Sequence, residues 1–437
     1  MTVASSERTT DYLLIGGGLA AATAAEELRK RDANASILLV TQEAHRPYHR
    51  PPLSKEYLRA EIEREGTYGN GGVYVQLPAW YGEQRVEVLR GAAATALDTR
   101  AKVVMLSDGT AIRYSTLLLA TGGRARRLNV PGMDLPGVQT LRTLVDADEI
   151  RAQLTSGKRV VVVGSGFIGL ETAASALTKG AQVTIVEPFP RAWPNMVSPE
   201  VSEYFQQQFA KRGATLRYGH TATEFVAGAD GRLAAVRIAP AGTTGAGAGQ
   251  AEEIPCDLAI VGVGIHLNTE LAASAGLEVD PKHGIVVNER LETQSADVFV
   301  AGDVAAYPDP IVGRMHFEHW DNAIASGTTA AINMAGGDEP YRHIPYFFSD
   351  QFDLSLNMLG YPSNEAQTVI RGEMAKNQFT ALYVQGGILR AALMVNDDAQ
   401  MDLLRDLIAA SAPVSGDAQR LADPSFDLAS LMPKGTV

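Results

Sequence analysis

The sequence predicts an α/β protein in which the same strand–turn–helix unit occurs twice. Residues 11–28 and 159–177 each contain a short apolar run, a glycine cluster and an alanine-rich segment with helical spacing. Each unit leads into another apolar run, at 37–40 and at 183–186, that predicts a second strand. Strands that alternate with helices are typical of parallel sheets with helices on their faces.

Both glycine clusters have the spacing of a dinucleotide-binding turn. The first glycine permits the tight turn, the second lets backbone approach a pyrophosphate, and the third small residue packs helix against strand. The helix N-terminus then presents unpaired N–H groups to the anion. One copy could be a glycine-rich turn of any α/β domain, whereas two copies predict two Rossmann-like domains. Two dinucleotides in one chain most simply mean a resident flavin and an exchanging nicotinamide. The matching residues are Gly16, Gly18 and Ala21 in the first unit, and Gly164, Gly166 and Gly169 in the second.

An acidic residue follows the second strand of the second unit. In dinucleotide-binding domains, the acid that binds the ribose 2′-hydroxyl lies ~20 residues after the first glycine. Glu187 lies close to that position in the second unit. A carboxylate there repels a 2′-phosphate, so we predict NADH in preference to NADPH, although nearby Arg191 leaves NADPH open. In the first unit the ribose partner is Gln42 or Glu43, and the acid is less cleanly placed.

The composition excludes several kinds of partner and chemistry. The chain has 437 residues, of which 46% are hydrophobic and 20% charged, as in globular proteins of several domains. Its 38 Lys and Arg against 50 Asp and Glu give a formal net charge of −12, which opposes binding to nucleic acid or an anionic membrane. The one cysteine, Cys256, excludes an intrachain disulfide or redox-active dithiol, and we expect it to be a buried structural thiol.

Membrane and metal signals are also weak. No apolar run approaches the ~18–20 residues of a membrane helix, and residues 1–10 lack the apolar core of a signal peptide. We therefore expect a cytoplasmic protein with no membrane partner. His316 and His319 lie on either side of Glu318, but a zinc site needs further ligands, so we expect no metal site.

Two other apolar runs end in small residues. Residues 117–119 are followed by Ala-Thr-Gly-Gly at 120–123, and residues 297–300 by Ala, Gly302 and Asp303. A strand that ends in Gly-Asp just before a helix can place a carboxylate against a ribityl hydroxyl and N–H groups against phosphate.

Three segments outside the repeated units carry local signals. Prolines keep residues 45–55 out of a regular helix until after Pro52. Alternating apolar residues over 379–395, with two glycines at 386–387, predict a hairpin. The Gly/Ala/Thr tract at 239–250 predicts an exposed hairpin loop.

Four sequence segments accompany the two glycine fingerprints. They are RPYHRPPLSK at 46–55, LLLATGG at 117–123, DVFVAGD at 297–303 and FEHWDNA at 317–323. In this order, and over nearly the whole chain, the sequence resembles the FAD-dependent ferredoxin and rubredoxin reductases of oxygenase systems, the putidaredoxin reductase-like family. Apoptosis-inducing factor is a more distant relative. The RPYxRPPLSK segment is more specific than either glycine motif.

The resemblance implies a glutathione reductase-like flavoprotein architecture. We expect an FAD-binding domain at 1–120 and 255–335, interrupted by an NAD-binding domain at 121–254. A small α/β C-terminal domain at 336–437 follows.

The resemblance also implies site residues. Lys55 lies beside the reactive nitrogen of the flavin and Glu171 pairs with it, so these are the candidate catalytic residues. A cation there favours the reduced, anionic ring. The alternative for Glu171 is a simple charge near a helix N-terminus. The candidate FAD-binding residues are Gly16, Gly18, Ala20, Ala21, Gln42, Glu43, Arg50, Lys55, Ala94, Ala120, Thr121, Gly122, Gly302, Asp303 and Trp320. The candidate NAD-binding residues are Gly164, Gly166, Phe167, Ile168, Gly169, Glu171, Glu187, Arg191 and Gly262.

Some features depart from the family or stay open. The usual tryptophan-rich stretch before Ser-Asp-Gln reads Tyr-Phe-Phe at 346–348, and Leu267 replaces the usual proline before asparagine. Phe348, with Trp320, is expected to wall the flavin. Arg124, with the neighbouring arginines at 126 and 127, is a candidate cluster for docking an acidic partner.

The implied function is that of an NADH:ferredoxin (or rubredoxin) reductase. Hydride would pass from NADH to FAD, and electrons would leave singly for a small iron–sulfur protein that feeds an oxygenase. The enzyme would be a monomer or a homodimer. Two alternatives remain: an NADH-responsive flavoprotein with an interaction role, like apoptosis-inducing factor, and an NADH:quinone reductase.

Overall fold

The structure, a computed structural model, describes residues 7–242, 251–414 and 416–433. Most of the predicted loop at 239–250 lies outside these residues. The strands, in chain order, are β1 (Glu7–Ile15), β2 (Ile37–Thr41), β3 (Val86–Arg90), β4 (Ala94–Asp98), β5 (Val103–Leu106), β6 (Ala111–Leu119), β7 (Gly123–Ala125), β8 (Val138–Thr140), β9 (Arg159–Val163), β10 (Gln182–Glu187), β11 (Thr215–Tyr218), β12 (His220–Ala227), β13 (Leu233–Pro240), β14 (Glu252–Pro255), β15 (Leu258–Val261), β16 (Ile265–Leu267), β17 (Val279–Asp280), β18 (Gly284–Val286), β19 (Val298–Val300), β20 (Ala305–Asp309), β21 (Gly313–Met315), β22 (Tyr346–Gln351), β23 (Leu354–Gly360), β24 (Gln367–Glu373), β25 (Gln378–Gln385) and β26 (Ile388–Val395).

Helices connect many of these strands. The α-helices are α1 (Leu19–Arg31), α2 (Glu56–Arg59), α3 (Pro78–Glu83), α4 (Leu144–Gln153), α5 (Phe167–Thr178), α6 (Pro199–Lys211), α7 (Glu270–Ser274), α8 (Trp320–Met334) and α9 (Met401–Ala409). Short 3-10 turns occupy Pro51–Ser54, Gly302–Val304, Met374–Lys376, Ala418–Ala422 and Leu428–Leu431. Among the residues that the structure describes, every helix is too short or too polar to cross a lipid bilayer.

The chain divides into two units, and the first consists of residues up to Pro51, Ile62–Arg124 and Ile265–His343. Its main sheet has the order β3-β2-β1-β6-β5-β4, and β19 also pairs with β6. The pairs that join β3, β2, β1, β6 and β19 are parallel, whereas β4 and β5 form an antiparallel extension. A buried apolar core lies between this sheet and helices α1 and α8. The parallel strands therefore bring the ends of β1, β6 and β19 to one edge.

The second unit consists of Pro52–Glu61, Ala125–Gly264 and the residues from Ile344 onward. It contains a parallel sheet of order β11-β10-β9-β15-β8, a three-stranded antiparallel sheet β12-β13-β14, and a five-stranded antiparallel sheet β22-β23-β26-β25-β24. The hairpin predicted over 379–395 is confirmed: β25 and β26 pair antiparallel around Gly386 and Gly387, both of which have positive φ.

The predicted fold class is confirmed, because each strand–glycine–helix segment begins a parallel sheet of its own. The boundaries differ from the expected ones. The structure divides the chain after Arg124 and after Gly264, and β15 pairs in parallel with β9 and β8 of the second unit. Residues 255–264 therefore lie with the second unit and not with the first. The assignment of FAD and NAD to separate domains stays a prediction.

Two buried arginines hold chain segments that lack regular structure. In the first unit Arg29, in α1, donates hydrogen bonds to carbonyl oxygens of Asp32, Ala35 and Gln84 at 2.7–2.8 Å. In the second unit Arg371, in β24, donates four hydrogen bonds to backbone carbonyls. Their acceptors are Leu421, Asp423, Pro424 and Phe426, at 2.5–3.2 Å. Each guanidinium replaces its lost hydration with fixed backbone dipoles.

Candidate functional site

The first glycine turn contains one position that only glycine can occupy and another position that faces open space. Gly16 has φ +131°, and a Cβ there would lie 2.1 Å from the carbonyl oxygen of Ala120, so only glycine fits. A Cβ on Gly18, the residue that precedes α1, would meet nothing within 4 Å. The turn therefore keeps free volume at the N-terminus of a 13-residue helix, where backbone N–H groups attract an anion.

The other predicted residues of the first unit gather at the same edge of its sheet. Because β6 pairs in parallel with β1, and β19 pairs in parallel with β6, the segment at 120–122 and Gly302 follow strands that end at the same edge of the sheet as β1. Ala20 contacts this region from α1, since a Cβ on Gly302 would lie 3.2 Å from its side chain. Ala21 is buried on the same helix. The segment that leads to Ala94 approaches the end of β2, where the Ala92 N–H donates to the carbonyl of Thr41 at 3.1 Å.

Glu43, Tyr48 and Arg50 form a charged cluster in this unit. Arg50 donates to a Glu43 carboxylate oxygen at 2.8 Å, and the Tyr48 hydroxyl donates to the other oxygen at 2.5 Å. Burial opposes the charge of Arg50, but Tyr48, Glu43 and Asp303 outweigh it and hold its pKa above the usual value. Burial also opposes ionisation of Glu43, yet Arg50 holds the pKa of that carboxyl below its usual value. Gln42 is exposed.

Trp320 is fixed by a residue that the sequence analysis missed. The Trp320 indole N–H donates to Nδ1 of His49 at 2.7 Å, and the His49 ring lies 4.8 Å from the ring of Tyr68. Burial lowers the pKa of His49 to about 4, so the imidazole is neutral at pH 7 and can accept this hydrogen bond. The signal available was the position of His49 within the RPYHRPPLSK segment.

The second glycine turn has the same geometry. Gly164 has φ +103°, and a Cβ there would lie 2.4 Å from the carbonyl oxygen of Gly262. A Cβ on Gly169 would lie 2.1 Å from the carbonyl oxygen of Gly164, so α5 packs directly on the turn. A Cβ on Gly166, which precedes α5, would again meet nothing within 4 Å. Of the next two residues, Ile168 is exposed, whereas Phe167 packs on the ring of Phe347 with centroids 4.5 Å apart.

Glu187 is held against this turn at the end of β10. Its carboxylate accepts hydrogen bonds from the backbone N–H and the hydroxyl of Ser165, at 2.6 Å and 2.9 Å, and from the backbone N–H of Phe189 at 3.1 Å. The side chain is only 7% exposed. Ser165 was not among the predicted residues, although it lies between the first two glycines of the fingerprint. These contacts hold the acid against the glycine turn, and its role as the ribose partner stays a prediction.

Arg191 is engaged with its own loop. Its guanidinium donates to the carbonyl oxygens of Val197 at 2.7 Å and Pro194 at 2.8 Å. Because both hydrogen bonds fix local backbone, the structure gives no support to a 2′-phosphate partner at Arg191.

Lys55 and Glu171 form a buried ion pair within the second unit. The Lys55 ammonium lies 2.9 Å from a Glu171 carboxylate oxygen, and the two residues are 2% and 3% exposed. The hydroxyl of Ser349 donates to the other carboxylate oxygen at 2.7 Å, and the hydroxyl of Ser54 also donates to Glu171. An acid that merely offsets a helix dipole on the surface would not be enclosed in this way. Phe348 lies beside the pair, with its ring centroid 5.5 Å from the ammonium.

The two serines were missed because their partners are distant in sequence. Ser54 directly precedes Lys55, and Ser349 begins the Ser-Asp-Gln triplet of β22. Burying two charges costs several kcal/mol per ion, which the pair recovers only with good geometry and further hydrogen bonds. The two serine hydroxyls supply those bonds, so that together with Lys55 the carboxylate of Glu171 has three partners.

The remaining candidates have ordinary partners. His316 contacts Glu318 at 3.0 Å and the ring of His283 at 3.3 Å, and no cluster of three or more metal-binding side chains occurs in 7–242, 251–414 and 416–433. Cys256 is buried as expected, and burial raises its pKa to about 12.

In the candidate docking cluster, Arg124 and Arg127 are each paired with an acid. In the first unit Arg124 lies 2.8 Å from a carboxylate oxygen of Glu270. In the second unit Arg127 lies 2.5 Å from a carboxylate oxygen of Asp134. Their positive charges are therefore partly neutralised within the chain.

Two parallel sheets, each with an open helix N-terminus behind a glycine turn, define an oxidoreductase that binds two dinucleotides. Residues 10–327 match the family model described as pyridine nucleotide-disulphide oxidoreductase, and residues 346–432 match the model described as reductase C-terminal. The chain belongs to this family, and within it to the ferredoxin reductases.

Relatives of known identity match almost end to end. The ferredoxin–NAD(+) reductase component of the anthranilate 1,2-dioxygenase system of Burkholderia cepacia is 36% identical over 96% of this chain and 99% of its own. The solved ferredoxin reductase for the CYP199A2 system of Rhodopseudomonas palustris is 35% identical, with a TM-score of 0.86 over 97% of this chain and 100% of that one. The covalent putidaredoxin reductase–putidaredoxin complex is 31% identical, with a TM-score of 0.87 over 97% and 98%.

The cofactor predictions are confirmed by this membership: the enzyme depends on FAD and uses NADH. The residues present fit these groups, because Gly18 and Gly166 leave open volume at the two helix N-termini. Arg50 adds a fixed positive charge in the first unit. The chemistry does not pass through an intrachain dithiol, since the chain has a single cysteine.

A matched pair of glycine substitutions should separate the two sites. Because neither position has a neighbour within 4 Å, Gly18→Val and Gly166→Val should both fold, while the new side chain fills the pyrophosphate volume. We expect Gly18→Val to be purified with little FAD, and Gly166→Val to keep FAD but to lose at least tenfold in NADH affinity. Flavin absorbance per chain and NADH titration measure both.

The control is Gly16→Ala, whose Cβ would collide with backbone and should lower the unfolding temperature. Unfolding is compared in the FAD-free forms, because bound FAD itself stabilises the fold. Full FAD occupancy in Gly18→Val would contradict the assignment of the first turn.

Proposed function

We propose that this protein is an NADH:ferredoxin reductase that supplies electrons, one at a time, to a small iron–sulfur protein of an oxygenase system. The observation that carries the proposal is the pair of open glycine turns in a chain whose single cysteine is buried. Two dinucleotides can bind, and a dithiol exit for electrons does not exist. One relative is a dioxygenase reductase component, and another has been solved in covalent complex with putidaredoxin, which supports an iron–sulfur acceptor.

Bound FAD supplies the redox chemistry, since flavins accept hydride from NADH and release electrons singly. The protein supplies binding and electrostatics. We assign the FAD pyrophosphate to the N-terminus of α1, next to Gly18, and a supporting positive charge to Arg50. We assign the NADH pyrophosphate to the N-terminus of α5, next to Gly166, and the adenosine ribose to Glu187.

We further propose that Lys55 and Glu171 act as one electrostatic unit on the redox group. The ammonium of Lys55 stabilises the negative charge that reduction creates, and burial strengthens this effect because little water screens it. Glu171 orients the ammonium and limits its field. Ser54 and Ser349 hold the carboxylate in turn.

Acceptor choice tests the proposed function directly. The FAD-loaded protein, with NADH, should reduce a [2Fe–2S] ferredoxin much faster than a rubredoxin or a soluble quinone. Reduction is followed at the visible bands of each iron–sulfur protein. Gly166→Val is the control, because it should bind NADH poorly. Any acceptor reduction that remains in this variant measures direct reduction of the acceptor by NADH. Turnover with the quinone alone would overturn the proposal in favour of a quinone reductase.

Coenzyme preference tests the role of Glu187. We expect kcat/KM to favour NADH over NADPH by at least about tenfold, the scale of one ~1.4 kcal/mol interaction. Glu187→Gln should reduce this preference, because it removes the charge that repels a 2′-phosphate. Glu200→Gln, an exposed residue of α6, changes the net charge equally and should leave the preference intact. An unchanged preference in Glu187→Gln would assign the selectivity to another group.

Lys55 and Glu171 should show coupled effects on flavin potential and on stability. Lys55→Met should lower the potential by tens of millivolts, since ~30 mV corresponds to ~1.4 kcal/mol in a two-electron couple. Glu171→Gln should raise it, because the cation is then unopposed. Each single variant leaves a buried charge without its partner, which costs about 3–5 kcal/mol of unfolding free energy.

The double variant should lose less stability than the two single losses combined. Lys211→Met, an exposed lysine of α6, is the charge-matched control and should leave both quantities unchanged. Redox titration and urea unfolding make the measurements. Strictly additive changes would show that the two side chains do not act together.

A further inference from the structure

An aromatic ring is held in solvent two residues beyond Glu187. Phe189 is 52% exposed, and its backbone is fixed on both sides. Its N–H donates to the Glu187 carboxylate at 3.1 Å, and its carbonyl oxygen accepts from the N–H of Gly219 at 2.9 Å. Pro188 and Pro190 flank it and restrict the backbone further. The main chain is therefore rigid where the side chain is exposed.

A single exposed apolar side chain is common on a protein surface, so exposure alone does not indicate a function for Phe189. Its position in the fold does. β10 runs parallel to β9, and Phe189 follows the carboxyl end of β10. The turn that contains Gly166 follows the carboxyl end of β9. Ligands of parallel α/β sheets bind at this edge. Among the exposed large apolar side chains of the described residues, Phe189 is the one whose backbone hydrogen-bonds to the proposed ribose acid.

We propose that Phe189 is the adenine platform of the NADH site, an inference that rests on the proposed function. The adenine base is attached to the ribose carbon next to the one that bears the 2′-hydroxyl. A side chain two residues from Glu187, at most ~7 Å along the backbone, is within reach of that base. The ring of Phe189 stacks on the adenine face, and a base–aromatic stack contributes substantially to binding.

The rigid backbone makes the platform effective. Because the prolines and the two backbone hydrogen bonds already order the segment, little conformational entropy is lost when the base binds. Stacking does not sense the ribose 2′ position. Phe189 therefore raises the affinity for NADH and NADPH alike, while Glu187 discriminates between them.

The test compares NADH with reduced nicotinamide mononucleotide, which carries the same reacting ring but no adenosine. In the FAD-loaded protein, Phe189→Ala should raise the KM for NADH about tenfold with kcat unchanged. The KM for the mononucleotide should not change, and the ratio of kcat/KM values for NADH and NADPH should also stay constant. Phe189→Trp should restore the KM for NADH. ADP-ribose should inhibit Phe189→Ala about tenfold more weakly.

Val145→Ala is the matched control, because Val145 is similarly exposed on α4 of the same unit. It should leave every constant unchanged. An unaltered KM for NADH in Phe189→Ala would overturn the inference, and so would an equal rise in KM for NADH and for the mononucleotide, which indicates general damage to the site.

Reduction of the bound FAD is followed in single turnovers at its own absorbance, without any acceptor protein. KM is then the coenzyme concentration that gives half the limiting reduction rate, and that limiting rate takes the place of kcat. A wrong acceptor assignment therefore leaves this test unaffected. If NADH failed to reduce FAD in the unaltered protein, the proposed function itself would fail, and the inference with it.

Discussion

The close approach of two backbones at each glycine turn is the constraint on which both binding regions depend. At Gly16 and at Gly164 a carbonyl oxygen from a neighbouring segment occupies the place of a Cβ, so the strand can turn into the helix only through glycine. That turn aims the helix N-terminus at the edge of the sheet. The open volume at Gly18 and Gly166 follows from the same geometry, because these residues precede helices that contribute no side chain to the space in front of them.

Burial then decides what charged groups can do. Glu171 lies in α5, but its hydrogen-bond partners come from residues 54–55 and from β22, more than a hundred positions away in either direction. Removed from water, the carboxylate is held by Lys55 and two hydroxyls. In the first unit Glu43 is held similarly by Arg50 and Tyr48. In both places a carboxylate fixes a cation in one orientation, which a solvated surface pair does not do.

Elements that are defined by a local pattern can be predicted from the sequence. Strand–glycine–helix order located β1, α1, β9 and α5, and alternation with a Gly-Gly turn located the hairpin of β25 and β26. Features that depend on long-range contacts could not be predicted in this way. The place of β15 in the sheet of β9 depends on strand pairing, which an apolar run does not encode. The contacts of His49 with Trp320, and of Ser349 with Glu171, depend on side-chain directions set only after the chain folds. Lys55, Glu171 and Trp320 were found through family motifs and not through periodicity.

Arg371 of β24 donates hydrogen bonds to four backbone carbonyl oxygens in the segment 421–426. These bonds attach the segment to the antiparallel sheet, although the segment has little regular structure. Anyone shortening this protein for crystallisation or for fusion to a redox partner must treat that segment as structural. Truncation after Arg420 would leave the buried guanidinium of Arg371 without hydrogen-bond acceptors. It would also expose the apolar face that Leu421 and Leu428 cover. A junction placed beyond Leu431 leaves every one of these contacts in place.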